Sequence, residues 1–320
     1  MADAPVVFPL RGRRVYVAGA SGMVGGALVR RLASEDCEVL TTRRAELDLT
    51  RQQPVEDWFA ANRPDAVILA AARVGGIGAN TAFPAEFLNQ NLAIQTNVIE
   101  AAHANGCERL LFLGSSCIYP KDSPQPMREE HLMQGPLEPT NEGYALAKIA
   151  GIRACQYLWR QHGRHYISAM PTNLFGPGDN FDLVAGHVIP ALIVKFVAAV
   201  RTGAPTVTIW GTGSARREFM HADDCADALI FLLKRYDAPE HINVGTGEEV
   251  SILELAEMIA DLTGFEGEIV KDTTKPDGMA RKLMDSSRLR ALGWTPRIGL
   301  REGLDRTIRA YRAQTEDAHA

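Results

Sequence analysis

Two rhythms of apolar positions alternate along the first half of the chain. Short apolar runs occur at 14–18 (RVYVA), 37–41 (CEVLT), 66–71 (AVILAA) and 109–113 (RLLFL). Between them, apolar residues recur every three or four positions: from Met23 to Leu32, around 53–62, and over 86–105 through Phe87, Leu92, Ile94, Val98, Ile99 and Ala102. The runs read as buried strands and the recurring spacing as helices. Strand and helix alternating in this way predict βαβ units, and so an α/β, Rossmann-like doubly wound parallel sheet with helices on both faces. Right-handed crossovers place the helix-entering loops at the carboxyl ends of the strands, where such sheets bind ligands.

The pattern changes after about residue 175. Loops become rich in Gly and Pro (GPGDN at 176–180, GAP at 203–205, GTGS at 211–214), and the strands shorten. This predicts a nucleotide-binding Rossmann domain over 1–175 and a smaller C-terminal α/β substrate domain over 176–320. A return segment near 218–247 crosses back to the first. Residues 313–320 read as a frayed polar tail.

Composition narrows the function. With 46% apolar and 23% charged residues the chain has globular values, which excludes a disordered protein. A net charge of −5 offers no basic excess for general nucleic-acid binding. The most apolar segment, 188–200, is broken by Pro190 and Lys195 and falls short of the roughly 20 residues of a membrane span. The start lacks the basic and apolar regions of a secretory signal. Five cysteines without a CxxC pair fit reduced thiols in a cytoplasm, with no metal site implied.

Three groups of residues carry candidate chemistry. Gly19, Gly22 and Gly25 stand three apart in GASGMVG (Gly19, Ala20, Ser21, Gly22, Met23, Val24, Gly25), between a strand and a helix. Glycine there permits the tight turn and a close backbone approach to a pyrophosphate, which the helix N-terminus favours. The triplet alone also suits a plain turn, and its strand–turn–helix setting selects dinucleotide binding. The second strand ends in Thr41-Thr42-Arg43-Arg44 with no acid at its tip, which favours a 2′-phosphate and NADP over NAD. Asp48 faces the adenine in this reading. Tyr144 and Lys148 stand four apart in YALAK and so share a helix face, where the ammonium is expected to favour the phenolate. Ser115, Ser116 and Cys117 follow the strand 109–113 into the same crevice. Cys117 lies in a polar loop, unlike the other four cysteines, and His187 follows DNFD in a Gly-rich loop.

The glycine triplet, the serine-bearing strand end and YxxxK resemble the extended short-chain dehydrogenase/reductase family. AAARVGGIGAN (70–80), FLGSSCIYP (112–120), EPTNEGYALAKIAGI (138–152), MPTNLFGPGDNF (170–181) and KPDGMARKLMD (275–285) are similar to one branch of it, over about residues 13–310. That branch epimerises carbons 3 and 5 of GDP-4-keto-6-deoxy-D-mannose and reduces its 4-keto group with NADPH. The resemblance implies Ser115, Tyr144 and Lys148 as the reductive set, Cys117 as base and His187 as acid. It implies that Leu113, Gly114, Ser115, Ser116, Pro171, Thr172, Asn173, Leu174 and His187 line the nicotinamide end. Asn173, Lys195, Trp210, Arg217, Asp277 and Lys282 would hold the GDP-sugar, and the chain would form a homodimer. Ser21 and Lys195 depart from arginines common in that branch. A nucleotide-sugar epimerase or dehydratase on the same fold, and a regulator binding NADP without turnover, are the competing readings.

Overall fold

The computed structural model describes residues 4–182, 186–275 and 277–317. In chain order its strands are β1 (Arg14–Ala18), β2 (Glu38–Thr41), β3 (Ala66–Leu69), β4 (Arg109–Leu113), β5 (His165–Pro171), β6 (Asn173–Phe175), β7 (Thr206–Trp210), β8 (Arg216–Arg217), β9 (Phe219–His221), β10 (Ile242–Val244), β11 (Val250–Ser251), β12 (Glu268–Asp272) and β13 (Arg281–Lys282). The helices are α1 (Met23–Leu32), α2 (Gln52–Asn62), α3 (Ile77–Ala82), α4 (Pro84–Ala104), α5 (Glu142–His162), α6 (Val188–Thr202), α7 (Ala222–Arg235), α8 (Ile252–Thr263), α9 (Ser287–Ala291) and α10 (Leu300–Asp317).

Six strands form the central sheet in the order β2-β1-β3-β4-β5-β10, every neighbouring pair parallel. The chain runs outward from β1 to β2 and then returns across β1 to β3. That reversal opens a crevice at the carboxyl ends of β1 and β3. Side chains alternate between the two faces of the sheet. Val15, Val17, Ile68, Leu111 and Ile167 pack under α1 and α7, whereas Tyr16, Val67, Leu69, Leu110 and Phe112 pack under α2, α4 and α5. Burial on both faces explains why these strands are continuous apolar runs. A third cluster joins Ile189, Ile193 and Phe196 of α6, Val207 and Ile209 of β7, Leu255 and Ile259 of α8, and Leu304 and Ile308 of α10. The segment β9-α7-β10 leaves this cluster and returns to the large sheet, with β10 beside β5.

One helix is longer than the sequence pattern indicates. Residues 313–317 are not a frayed tail but the last turn of α10. The turns before it are anchored: Arg312 donates to the Thr263 carbonyl at 2.9 Å, and the Tyr311 ring lies 4.5 Å from that of Phe181. Residues 318–320 lie outside the described residues.

The contact that matters most for the site lies between α5 and β4. A Cβ at Gly151 would stand 2.3 Å from Phe112 Cζ, so only glycine lets the helix approach the strand this closely. The buried Gln95 of α4 donates to the Ala147 carbonyl at 2.7 Å and holds α5 from the other side. Replacing Gly151 with Ala should therefore force α5 off β4 and lower stability by about 1–3 kcal/mol, the usual cost of overpacking. The exposed Ala150→Ser control should stay within about 0.5 kcal/mol. Equal urea midpoints for the two variants would show that α5 is not held against Phe112.

Candidate active site

Gly19 leaves β1 with φ 92°, and a Cβ on it would meet the Ala71 nitrogen at 2.7 Å. A Cβ on Gly25 would lie 1.9 Å from the Gly19 carbonyl oxygen. Both glycines are thus required for α1 to start directly over the end of β1. Gly22 is the N-cap and brings no side chain to cap the helix; no acid lies in the first turn. Ala20, Ser21, Met23 and Val24 complete this loop. The bare positive helix end, reached by backbone alone, suits a pyrophosphate.

At the tip of β2 the two arginines differ. Arg43 bonds Glu46 through Nε at 2.8 Å, and the other Glu46 oxygen accepts the Arg43 N–H at 2.9 Å. Arg44 is exposed and makes no hydrogen bond among the described residues; its charge helps to hold the Asp48 carboxyl below its ordinary pKa. The larger cause there is Thr50, whose hydroxyl and N–H both donate to Asp48. The pairing of Arg43 with Glu46 leaves Arg44 as the freer cation for a 2′-phosphate. The Asp48 carboxylate, for its part, is already committed to its own turn.

The proton-transfer candidates meet at the end of β4. A 3-10 turn, Ser116–Ile118, follows the strand, with Ser115 as its N-cap. Gly114 fits there because a Cβ would collide with the Met170 sulfur. Ser116 is 4% exposed and turned into the protein, whereas Ser115 is only partly buried and its hydroxyl accepts the Cys117 N–H at 3.4 Å. Lys148 is 3% exposed; its Nζ donates to the Leu113 carbonyl at 2.7 Å and lies 5.7 Å from the Tyr144 ring centre. Burial brings the Lys148 pKa down to about 8. Burial, with the nearby Cys117, pushes the Tyr144 phenol up, opposed by Ser115. The expected lowering of the Tyr144 pKa by Lys148 is therefore corrected: burial dominates and raises it, so Tyr144 keeps its proton at neutral pH.

Cys117 is 7% exposed and burial raises its pKa, while Lys282, Ser115 and Lys148 act in the opposite direction. Cys107, Cys155 and Cys225 are pushed up to about 12 by burial without a cation of comparable influence. His187 is the N-cap of α6; crowding by the protein, then Lys282, lowers its pKa. Lys282 is itself depressed, by burial first. It sits opposite Arg217 in the β13–β8 register. Burial lowers Arg217 too, and no carboxylate pairs with either cation among the described residues. Two neighbouring desolvated cations without counter-ions are a site for an anion.

The remaining candidates lie on other elements. Lys195, on α6, donates to the Thr208 carbonyl at 2.9 Å. Trp210 closes β7 and is 64% exposed, with Lys275 Nζ 5.9 Å from its ring centre. Asp277 accepts the Thr212 N–H at 2.6 Å and its hydroxyl at 2.9 Å, which ties it to the turn after Trp210. Pro171 ends β5, the buried Thr172 donates its N–H to the Val244 carbonyl at 3.0 Å, and Asn173 and Leu174 open β6. Sequence reasoning missed the buried polar residues behind the site. Asn243 accepts the Tyr119 hydroxyl at 2.5 Å and donates to Met127 and Asp285 carbonyls at 3.0 Å. A lone Asn in a strand carries no signal of its partners, which lie more than 40 residues away along the chain.

Fold and site together describe a nucleotide-cofactor enzyme of the short-chain dehydrogenase type, and the chain belongs to the NAD dependent epimerase/dehydratase family, matched over residues 15–245. Within it, the chain is 53% identical to the GDP-L-fucose synthase of Sinorhizobium fredii, over 97% of this chain and 99% of that one. It is 55% identical to GDP-L-fucose synthase 1 of Arabidopsis thaliana, covering 94% of each. Its structure is similar to that of a GDP-L-fucose synthetase from Naegleria fowleri bound to NADP, with a TM-score of 0.89 and 26% identity, covering 99% and 98% of the two chains.

The difference between the arginines is testable. Arg44→Ala should weaken NADPH binding by about tenfold, the loss of one charge-assisted contact, and leave NADH binding unchanged. Arg43→Ala should have a smaller effect. Calorimetric titration of both variants with both dinucleotides measures this, and equal losses would remove Arg44 from the 2′-phosphate.

Proposed function

We propose that this chain converts GDP-4-keto-6-deoxy-D-mannose to GDP-L-fucose by epimerising carbons 3 and 5 and reducing carbon 4 at the expense of NADPH. The observation that carries the reading is the meeting of a reductive set, Ser115, Tyr144 and Lys148, with a cation-flanked thiol at one strand end. A simple ketone reductase needs no thiol base; an epimerase acting beside the same ketone does.

The 4-keto group acidifies the hydrogens on both neighbouring carbons. Cys117 first gives up its own proton, which charges His187; as a thiolate, whose cost Lys282 and Lys148 lower, it then takes such a proton from carbon. The protonated His187 returns a proton on the opposite face, which restores both resting forms. The hydroxyls of Ser115 and Tyr144 donate to the keto oxygen, where charge develops in each enolate. NADPH, when bound over the glycine cradle, supplies the hydride for carbon 4. Tyr144, protonated at rest, then gives its proton to the 4-oxygen, and the Lys148 ammonium stabilises the phenolate that remains. Arg217 and Lys282, with Lys195, hold the diphosphate, and Trp210 and Asp277 the nucleoside end. The division of labour has residues 1–175, with the return segment near 218–247, for the dinucleotide, and the rest of 176–320 for the GDP-sugar.

Exposed apolar side chains on α5, Leu146 and Tyr157, support a homodimer built on that helix. Free thiols at all five cysteines support a reduced, cytoplasmic setting. No helix among the described residues is long and apolar enough to cross a membrane.

Purified protein mixed with NADPH and the 4-keto sugar should consume one equivalent of NADPH and yield GDP-L-fucose. Bound cofactor without consumption would move the chain to the epimerase/dehydratase reading. Tyr144→Phe should cut NADPH oxidation by about 10²-fold or more while sparing NADPH binding. Cys117→Ser should slow solvent-deuterium entry at carbons 3 and 5 by a similar factor, and unchanged exchange would exclude Cys117 as the base. A pH series gives a further check. The Lys148 charge is present below about pH 8 and lost above it, so kcat/KM for NADPH should fall as pH rises through that value. A flat profile to pH 9.5 would mean that the ammonium is not needed.

A further inference from the structure

Glu218 lies between β8 and β9 and is 0% exposed. One carboxylate oxygen accepts the Gly247 N–H at 2.7 Å and the Thr246 hydroxyl at 3.4 Å; the other accepts the Met284 N–H at 3.1 Å. No Lys, Arg or His forms an ion pair with it among the described residues. Its backbone is equally engaged. The N–H donates to the Lys282 carbonyl at 3.3 Å, and the carbonyl accepts the Asn173 amide at 2.8 Å and the Thr172 hydroxyl at 3.3 Å. The fit is close: a Cβ on Gly245 would stand 2.4 Å from the carboxylate.

Burying a carboxylate without a counter-ion is costly, and burial raises its pKa against the pull of these donors. The same volume filled by an apolar side chain would strand two backbone N–H groups. A glutamine would satisfy one of them and set its own NH₂ against the other. Only a carboxylate presents two acceptor atoms to two main-chain donors from different segments. Those segments are not arbitrary. Met284 is two residues from Lys282, Arg217 precedes Glu218 directly, and Asn173 hangs from its carbonyl.

We propose that Glu218 is a positioning residue of the GDP-sugar site: its buried carboxylate clamps the 282–284 segment and the 246–247 loop onto β8–β9, which sets Lys282 and Arg217 side by side next to Cys117. This rests on the reading of that cation pair as the diphosphate site. The clamp explains how the two cations are kept adjacent: their β13–β8 register is reinforced by main-chain bonds to a carboxylate that neither cationic side chain touches.

The test compares full-length wild type, Glu218→Gln and Glu218→Asp. Glu218→Gln should weaken GDP binding and raise KM for the 4-keto sugar by about tenfold, the effect of one stranded donor. The same variant should keep NADPH affinity within about twofold, because the dinucleotide cradle lies on β1 and α1. Amide hydrogen exchange should speed up at Gly247 and Met284 and not in the central sheet. Glu218→Asp keeps two acceptor atoms and should recover part of the GDP affinity; it carries the same test at smaller size if the Gln variant does not fold. Unchanged GDP affinity in Glu218→Gln overturns the proposal, as do equal losses for GDP and NADPH, which mark a merely structural role. If wild type itself binds no GDP, the diphosphate reading fails. The clamp is then judged by exchange alone, and unchanged protection at Met284 in Glu218→Gln overturns it.

Discussion

The approach of α5 to β4 is the constraint on which the site depends. Gly151 removes the Cβ that would hold the helix away from Phe112, and the helix settles low enough for Lys148, one turn earlier, to reach the Leu113 carbonyl. That contact fixes Tyr144, a further turn back, beside Ser115 where β4 ends. The geometry around Tyr144 is thus set by a packing distance one turn along the same helix face, where Lys148 Nζ itself lies 4.9 Å from the Phe112 ring centre. Residues that never meet the crevice, Gln95 and Phe112 among them, hold it in place.

Electrostatics inside the site are governed by removal from water more than by pairing. Tyr144, Cys117, His187, Lys148, Arg217 and Lys282 are each shifted toward their uncharged forms, with burial as the leading cause. Tyr144 and Cys117 therefore hold their protons at neutral pH and His187 is predominantly neutral. The arrangement stores no charge on the groups that move protons. The cations Lys282 and Arg217 have no carboxylate within ion-pair distance among the described residues, although Glu138 acts on Lys282 from further away, and this is the basis for proposing them as the diphosphate site. The buried Glu218, next to Arg217 in the chain, directs both its oxygens at N–H and O–H donors and pairs with neither cation.

Much of this was legible in the sequence. Continuous apolar runs at 14–18, 66–71 and 109–113 betrayed strands covered on both faces, because a parallel sheet leaves no polar side. GASGMVG, YALAK and SSC could be placed on one crevice edge, since βαβ handedness puts the ends of parallel strands on the same side. The pairing of Arg43 with Glu46 was within reach, being a local turn, and was overlooked beside the pair of arginines. The last turn of α10 was not readable from its polar composition, because its anchors at Thr263 and Phe181 lie far back in the chain.

Local pattern determined the element order and the parallel sheet, because each follows from periodicity or spacing within a few residues; the proposed roles of Cys117 and His187 came from the family resemblance. Tertiary structure decided the protonation and the company of the reacting side chains. Desolvation is set by what packs around a group, and so only the fold reveals that Tyr144 rests as a phenol and Lys148 near its own titration point. Lys282 likewise reaches Cys117, and Met284 reaches Glu218, from segments more than 100 and more than 60 residues away, and no local pattern encodes which of them will meet.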